Sequence, residues 1–165
     1  MQDVARHPTL RNVSQLIIDV AHNEPAVAAL VSSVSAVFAD EPIVVIFGAN
    51  GDKDLLGLIR QVSRLRLHRV VAVTSNHPKA CSPSEIVAAA GSVAETGGVP
   101  WEAAGSMAEA LGISARSAGS GGHVLCCGSV FVAAALREEL AASQPGCFPE
   151  GDWAYEQSGE PPLLM

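Results

Sequence analysis

The stretch Ile43-Val44-Val45-Ile46-Phe47-Gly48-Ala49-Asn50-Gly51-Asp52-Lys53-Asp54 decides the fold class. Its first five residues are all apolar and four are β-branched, a run too short for a helix. A strand with one wet face alternates apolar and polar residues. Here both alternating sets are apolar, as in a parallel sheet whose two faces are covered by helices. A Gly-rich turn follows, and then a stretch of helical spacing. Working outward, the same unit recurs. Strands are predicted at Leu16–Val20, Arg69–Thr74 and His123–Cys127, with a further short one near Gly97–Trp101. Helices are predicted at about Pro25–Ala39, Asp54–Leu65, Pro83–Val93, Met107–Ala118 and Val130–Ala142, with Glu24-Pro25 and Ser82-Pro83-Ser84-Glu85 as start signals. Alternating strands and helices mean an α/β fold: a doubly wound, mostly parallel sheet with helices on both faces. Arg116–Gly122 reads as a flexible loop. The domain is expected to span 1–143, and 144–165 to form a loosely ordered tail.

The 165 residues and 17.0 kDa suit one domain, large enough to bury roughly 70% of the surface of the unfolded chain. A hydrophobic fraction of 48% and a mean hydropathy of +0.29 exclude intrinsic disorder. Aromatics are only 4%, so the core must be Val, Ile, Leu and Ala. Charged residues are 16%, below the roughly 25% usual for soluble domains; part of this surface is expected to face another domain. Ten Lys+Arg against seventeen Asp+Glu give a net charge of −7, which leaves no basic face for nucleic acid. No apolar stretch approaches the roughly 20 residues that span a bilayer. The first residues lack the positive segment and apolar core of a signal peptide. A soluble, cytoplasmic chain without nucleic-acid or membrane partners is therefore expected. Cys81, Cys126, Cys127 and Cys147 show no CxxC spacing, which argues against zinc and redox motifs. Cys126 and Cys127 read as buried strand residues.

Open α/β sheets bind ligands at the carboxyl ends of their strands. Those ends hold Asp19-Val20-Ala21-His22-Asn23, Gly48–Asp54, Thr74–Ala80 and Gly128-Ser129, which include both lysines of the chain and most of its asparagines. Gly48–Lys53 has the make-up of an anion-holding turn entering a helix, and equally of a tight turn with Asp54 as helix cap. It is not a Walker A loop, which needs GxxxxGK followed by Ser or Thr. Asp19 and His22 suit ribose hydroxyls and a phosphate or base; the alternative is that Asp19 caps the next helix and His22 bonds a loop carbonyl. An aspartyl-nucleophile phosphatase would need Asp where Ala21 stands. Gly128-Ser129-Val130 lacks a GxSxG elbow, and Gly119–Gly122 precedes a strand, where a dinucleotide fingerprint would follow one.

Four ordered blocks carry a resemblance. Ile17–Asn23 resembles the D-[GV]-A-H-N-P motif of the Mur ligase superfamily. Val45–Gly48 with Asp52-Lys53-Asp54 resembles its VFG…DKD segment. Thr74 with His77-Pro78-Lys79-Ala80 and Ser82-Pro83 resembles T…HPRA.SP. Cys127–Phe131 with Leu136-Arg137 resembles CGSLF…VR. Within the superfamily the likeness is to the dihydrofolate synthase/folylpolyglutamate synthase branch. It covers that family's C-terminal domain, a Rossmann-like sheet. Glu24 stands at the motif's usual Pro, which falls at Pro25, and Lys79 replaces the commoner Arg.

The resemblance implies an ATP-dependent acid–amino-acid ligase that joins L-glutamate to a pterin or folate substrate. ATP phosphorylates a carboxylate of the folate, and the glutamate amine attacks the acyl phosphate. It implies ATP contacts at Asp19, His22, Asn23 and Arg6, glutamate contacts at Lys53 and Ser129, and no catalytic or metal-ligating residue in this stretch. The family's P-loop and its Mg²⁺ ligands belong to an N-terminal ATPase domain, so this chain alone is expected to be inactive. A mitochondrial or plastid location would need a transit peptide ahead of such a domain. The competing expectation is a non-catalytic Rossmann-like remnant that binds a partner or ligand.

Overall fold

The computed structural model describes residues 7–38, 41–144 and 148. Among them five strands and five helices alternate: β1 (Gln15–Ile18), α1 (Glu24–Val37), β2 (Ile43–Phe47), α2 (Leu55–Val62), β3 (Leu67–Ala72), α3 (Pro83–Gly91), β4 (Trp101–Ala103), α4 (Met107–Ala118), β5 (His123–Cys127) and α5 (Val130–Ser143). The strands form one sheet in the order β1-β5-β2-β3-β4. Each neighbouring pair is parallel, so the sheet is wholly rather than mostly parallel.

The two-sided apolar pattern of β2 explains the layering. Ile43, Val45 and Phe47 join a cluster with Val27 and Val31 of α1, Leu58 and Val62 of α2, and Ile86 of α3. Val44 and Ile46 join a second cluster with Leu111 of α4 and Leu136 and Leu140 of α5. Three successive crossovers, β1 to β2, β2 to β3 and β3 to β4, step the same way with their helices on one face. The step back from β4 to β5 carries α4 on the other face, as crossovers of a single hand require. The switch between the two directions leaves the end of β5 beside the ends of β1 and β2.

Several boundaries differ from the sequence reading, each for a local reason. β1 stops at Ile18 because the Asp19 carboxylate accepts the N–H of Ala21 at 2.7 Å and turns the chain. β3 starts at Leu67, which pairs with Ile43 ahead of an irregularity between Ile43 and Val44. β4 lies at Trp101–Ala103, because Ala94–Thr96 coils into a 3₁₀ turn closed by Gly97. α1 is capped by Asn23, whose side chain accepts from Ala26 N–H at 3.0 Å, with Pro25 in the first turn. Ser82 and Glu85 close a reciprocal capping box on α3. Hydrogen bonds from Ser82 hold the Glu85 carboxyl below its ordinary pKa.

The expected loop at Arg116–Gly122 is shorter, since α4 runs to Ala118. Its remainder is tied by Gly121 N–H to the Asn12 carbonyl at 2.8 Å and Ser14 N–H to the Gly122 carbonyl at 2.9 Å. In the expected tail, Phe148 is buried in the α4–α5 cluster, with the Arg137 guanidinium 4.6 Å from its ring centroid. Residues 145–147 and 149–165 lie outside the described residues. No helix among the described residues is long and apolar enough to cross a membrane.

Candidate functional site

Four loops meet at the carboxyl ends of the strands, and backbone bonds fix their arrangement. Gly128 N–H donates to the Ala21 carbonyl at 2.9 Å, and Gly48 N–H to the Cys127 carbonyl at 3.3 Å. Gly51 N–H donates to the Lys79 carbonyl at 2.7 Å, and Cys81 N–H to the Ala49 carbonyl at 2.9 Å. The first pair joins the ends of β1, β5 and β2; the second sews the turn after β2 to the turn after β3. Between them opens a cleft of about 300 Å³.

His22 enters this cleft from the β1 loop, and Asn50, Asp52 and Lys53 from the β2 loop. His77 and Lys79 come from the β3 loop, and Ser129, Val130 and Phe131 from the start of α5. Both lysines reach the same carboxylate: Lys53 Nζ lies 4.0 Å from Asp52 Oδ1, and Lys79 Nζ 3.8 Å from Asp52 Oδ2. Ser129 is buried, caps α5 and accepts the Phe131 N–H at 3.2 Å. The positive end of the α5 dipole therefore faces the cleft as well. The His77 ring stacks on that of Phe131, centroids 4.2 Å apart and planes at 26°, and closes one side. Beneath the floor, burial chiefly, then Glu85 and Asp52, push the Cys81 thiol up and leave it a poor nucleophile. Two ammonium groups and a helix N-terminus around a small space suit a carboxylate or phosphate ligand.

A larger cleft of about 440 Å³ lies along α5, but Glu138 and Glu139 line it and no Lys or Arg does. Its charge is wrong for an anion. Among the described residues no three His, Cys, Asp or Glu side chains group so as to hold a metal ion.

Of the residues singled out in the sequence, His22, Lys53 and Ser129 share the first cleft. Asp19 and Asn23 sit on the same loop as His22 and are used locally, Asp19 in its turn and Asn23 as the α1 cap. His22 Nδ1 lies 3.0 Å from the Val20 carbonyl. Asp54 caps α2, accepting Gly57 N–H at 2.9 Å. Arg6 lies outside the described residues. Sequence reasoning marked the segments of Asn50, Asp52, His77, Lys79 and Phe131 as strand ends without selecting these residues. Their convergence depends on bonds between loops nearly thirty positions apart, which no local pattern encodes.

The chain is similar to known proteins in family and in fold. Residues 5–130 match the model of the Mur ligase family, glutamate ligase domain. FolC of Escherichia coli in complex with ADP superposes with a TM-score of 0.70 at 22% identity, over 83% of this chain and 31% of that one. Mycobacterium tuberculosis folylpolyglutamate synthase complexed with ADP gives 0.66 at 23%, over 76% and 29%. The bifunctional folylpolyglutamate synthase/dihydrofolate synthase of Yersinia pestis, complexed with AMPPNP and a Mn ion, gives 0.61 at 26%, over 76% and 28%. The chain thus spans less than a third of each of these structures. No curated protein matches it in sequence.

Proposed function

The chain belongs to the Mur ligase family through its glutamate ligase domain, and on that premise we propose that it is the amino-acid-binding domain of an ATP-dependent folate:L-glutamate ligase. The observation that carries this reading is the cleft at the strand ends, where both lysines of an acidic chain meet the N-terminus of α5. Lys53 and the Ser129 side face a carboxylate of glutamate, a role that suits an ammonium beside a helix start. Asp19, His22 and Asn23 face the ribose and adenine of ATP from the β1 end, and Arg6, which lies outside the described residues, is assigned to the same nucleotide. Among the described residues only the oxygen of the Asn23 amide serves the cap, which leaves its N–H groups to the ligand in this reading.

ATP phosphorylates the folate carboxylate; the glutamate amine attacks the acyl carbon, phosphate departs, and an amide remains. The P-loop and the Mg²⁺ ligands would lie in an N-terminal ATPase domain, and a Mg²⁺ held there would supply charge neutralisation for phosphoryl transfer. The domain described here presents the amino acid to that centre, and its low charged fraction suits a face turned toward it.

NMR titration of the isotope-labelled chain with L-glutamate tests the reading. Shifts should centre on Lys53 and Ser129, and Lys53→Gln should weaken binding about tenfold, since a charge-assisted hydrogen bond contributes roughly 1.5–3 kcal/mol. Unaltered glutamate binding in Lys53→Gln would overturn the assignment. The purified chain should show no ATP-dependent amide formation; turnover would refute the placement of phosphoryl transfer elsewhere.

A further inference from the structure

The larger cleft of about 440 Å³ along α5 is separate from the lysine-lined one and has the opposite sign. Ala135, Glu138, Glu139 and Ala142 line it, at positions i, i+3, i+4 and i+7, so one face of α5 forms a wall. The two alanines leave room on either side of the carboxylates. Glu138 and Glu139 stand in the last two turns of α5, where the helix dipole is negative, and the final turn carries no basic residue. Neither forms an ion pair among the described residues; Glu139 accepts a long hydrogen bond from Ser143 Oγ at 3.4 Å. Two adjacent like charges at that end of a helix cost stability unless a cation answers them. The start of α4, on the other side, does not reverse the sign. Glu109 turns back to accept the Gly105 N–H at 2.7 Å, and Ser106 accepts the Glu109 N–H at 3.1 Å. The turn after β3 supplies an independent observation. Ser75 lines the cleft and is 8% exposed, and its hydroxyl has no hydrogen-bond partner among the described residues. A buried hydroxyl left in that state calls for a partner on a ligand.

We infer that this second cleft binds an alkylammonium ligand, with its cationic head at Glu138, Glu139 and the Ser75 hydroxyl, and its methylene stem along Met107, Ala135 and Ala142. An ammonium has three donors and no acceptor, and two carboxylates with one hydroxyl oxygen meet all three. The apolar residues suit a carbon stem, which a bare metal ion lacks. Among the described residues no three His, Cys, Asp or Glu side chains group so as to hold a metal ion. Glutamate, a folate and ATP each carry carboxylates or phosphates that Glu138 and Glu139 repel. The ligand is therefore none of the reactants of the proposed ligase reaction, and the inference does not rest on that reaction. Two carboxylates favour a diamine over a monoamine. The same chemistry has two sources, a free diamine and the lysine side chain of a neighbouring protein.

The test is NMR titration of the full 165-residue chain at constant ionic strength, with putrescine and, separately, with Nα-acetyl-L-lysine methylamide. Shifts should centre on Ser75, Glu138 and Glu139. Glu138→Gln and Glu139→Gln should each weaken amine binding about tenfold, and Ser75→Ala about threefold. None of these variants should lower the urea midpoint, because each relieves like-charge repulsion or removes a buried hydroxyl without a partner. Weaker binding then cannot be charged to unfolding. Glu95, near Arg60 of α2 on the other face of the sheet, serves as control. Glu95→Gln should leave binding unaltered, and an equal loss there would reduce the effect to general attraction of cations by an acidic chain and overturn the site. Tighter binding of putrescine would identify a free diamine as the occupant, and tighter binding of the lysine derivative a protein side chain. Absence of shifts with both amines, or unchanged binding in both glutamate variants, would overturn the inference while leaving the reading of the first cleft untouched.

Discussion

The backbone N–H of Gly51 donates to the carbonyl of Lys79 at 2.7 Å, joining two turns that lie 28 positions apart. The antiparallel bridge between Asn50 and Ala80 reinforces it. This join, and not the helix starts on either side, sets Lys53, Asp52 and Lys79 around one space. Glycine at 51 is not itself required, because a Cβ there would meet Lys79 O at 3.6 Å, ordinary contact. Gly128 differs: its φ is +100°, and a Cβ would collide with the Gly48 carbonyl and approach the Phe47 ring at 2.7 Å.

Gly51→Ala should therefore stay within about 1 kcal/mol of the parent. Gly128→Ala should lose about 3 kcal/mol or more, from left-handed strain and overpacking together. Urea midpoints of the two variants check this, and similar losses in both would show that the cleft floor relaxes freely.

The thiols give a second expectation. Burial drives the Cys126 thiol well above its ordinary pKa and the Cys127 thiol up to about 12, with Asp19 adding to both. Burial first, then Glu85 and Asp52, raises Cys81. In a Cys147→Ser background, no cysteine should react with iodoacetamide at pH 8 on the timescale of minutes, and three should react in denaturant. Fast labelling of the native protein would mean that the sheet opens at β5 or at the turn after β3.

His7 gives a pH dependence. It is buried, its Nδ1 accepts Thr9 N–H at 3.2 Å, and burial lowers its pKa below 6.5, partly opposed by Glu139. The unfolded imidazole then takes up a proton before the folded one as pH falls. Its contribution is fully present above pH 6.5 and is lost on acidification below it. His7→Asn keeps an acceptor for Thr9 and removes the titration, so its stability should fall less between pH 7 and pH 5. Parallel slopes for parent and variant would exclude His7 as the source.

Phe148 provides the fourth expectation. It is 6% exposed, packs in the cluster under α5, and stacks with Arg137. Phe148→Ala should cost about 3 kcal/mol, measurable as a lower urea midpoint. A change near zero would return this position to a dispensable tail.

The layer architecture and the sheet edge at which the cleft opens were legible in local sequence. Residues 43–47 are apolar on both alternating sets, and that pattern is local: it requires two covered faces whatever the rest of the chain does. The caps at Asp54 and Ser82 are local in the same way. The parts misread were also local contests, such as Asp19 turning β1 early and Ala94–Thr96 coiling ahead of β4. Strand order is different in kind. That β5 inserts between β1 and β2 puts Ser129 beside His22 and Lys53, and residues 19 to 23 of the first loop cannot encode a neighbour more than a hundred positions away. Likewise the approach of Lys79 to Asp52 and of His77 to Phe131 arises from hydrogen bonds between loops and from α5 packing across the end of β2. Such contacts depend on long-range closure of the whole sheet, so only the tertiary structure decided them.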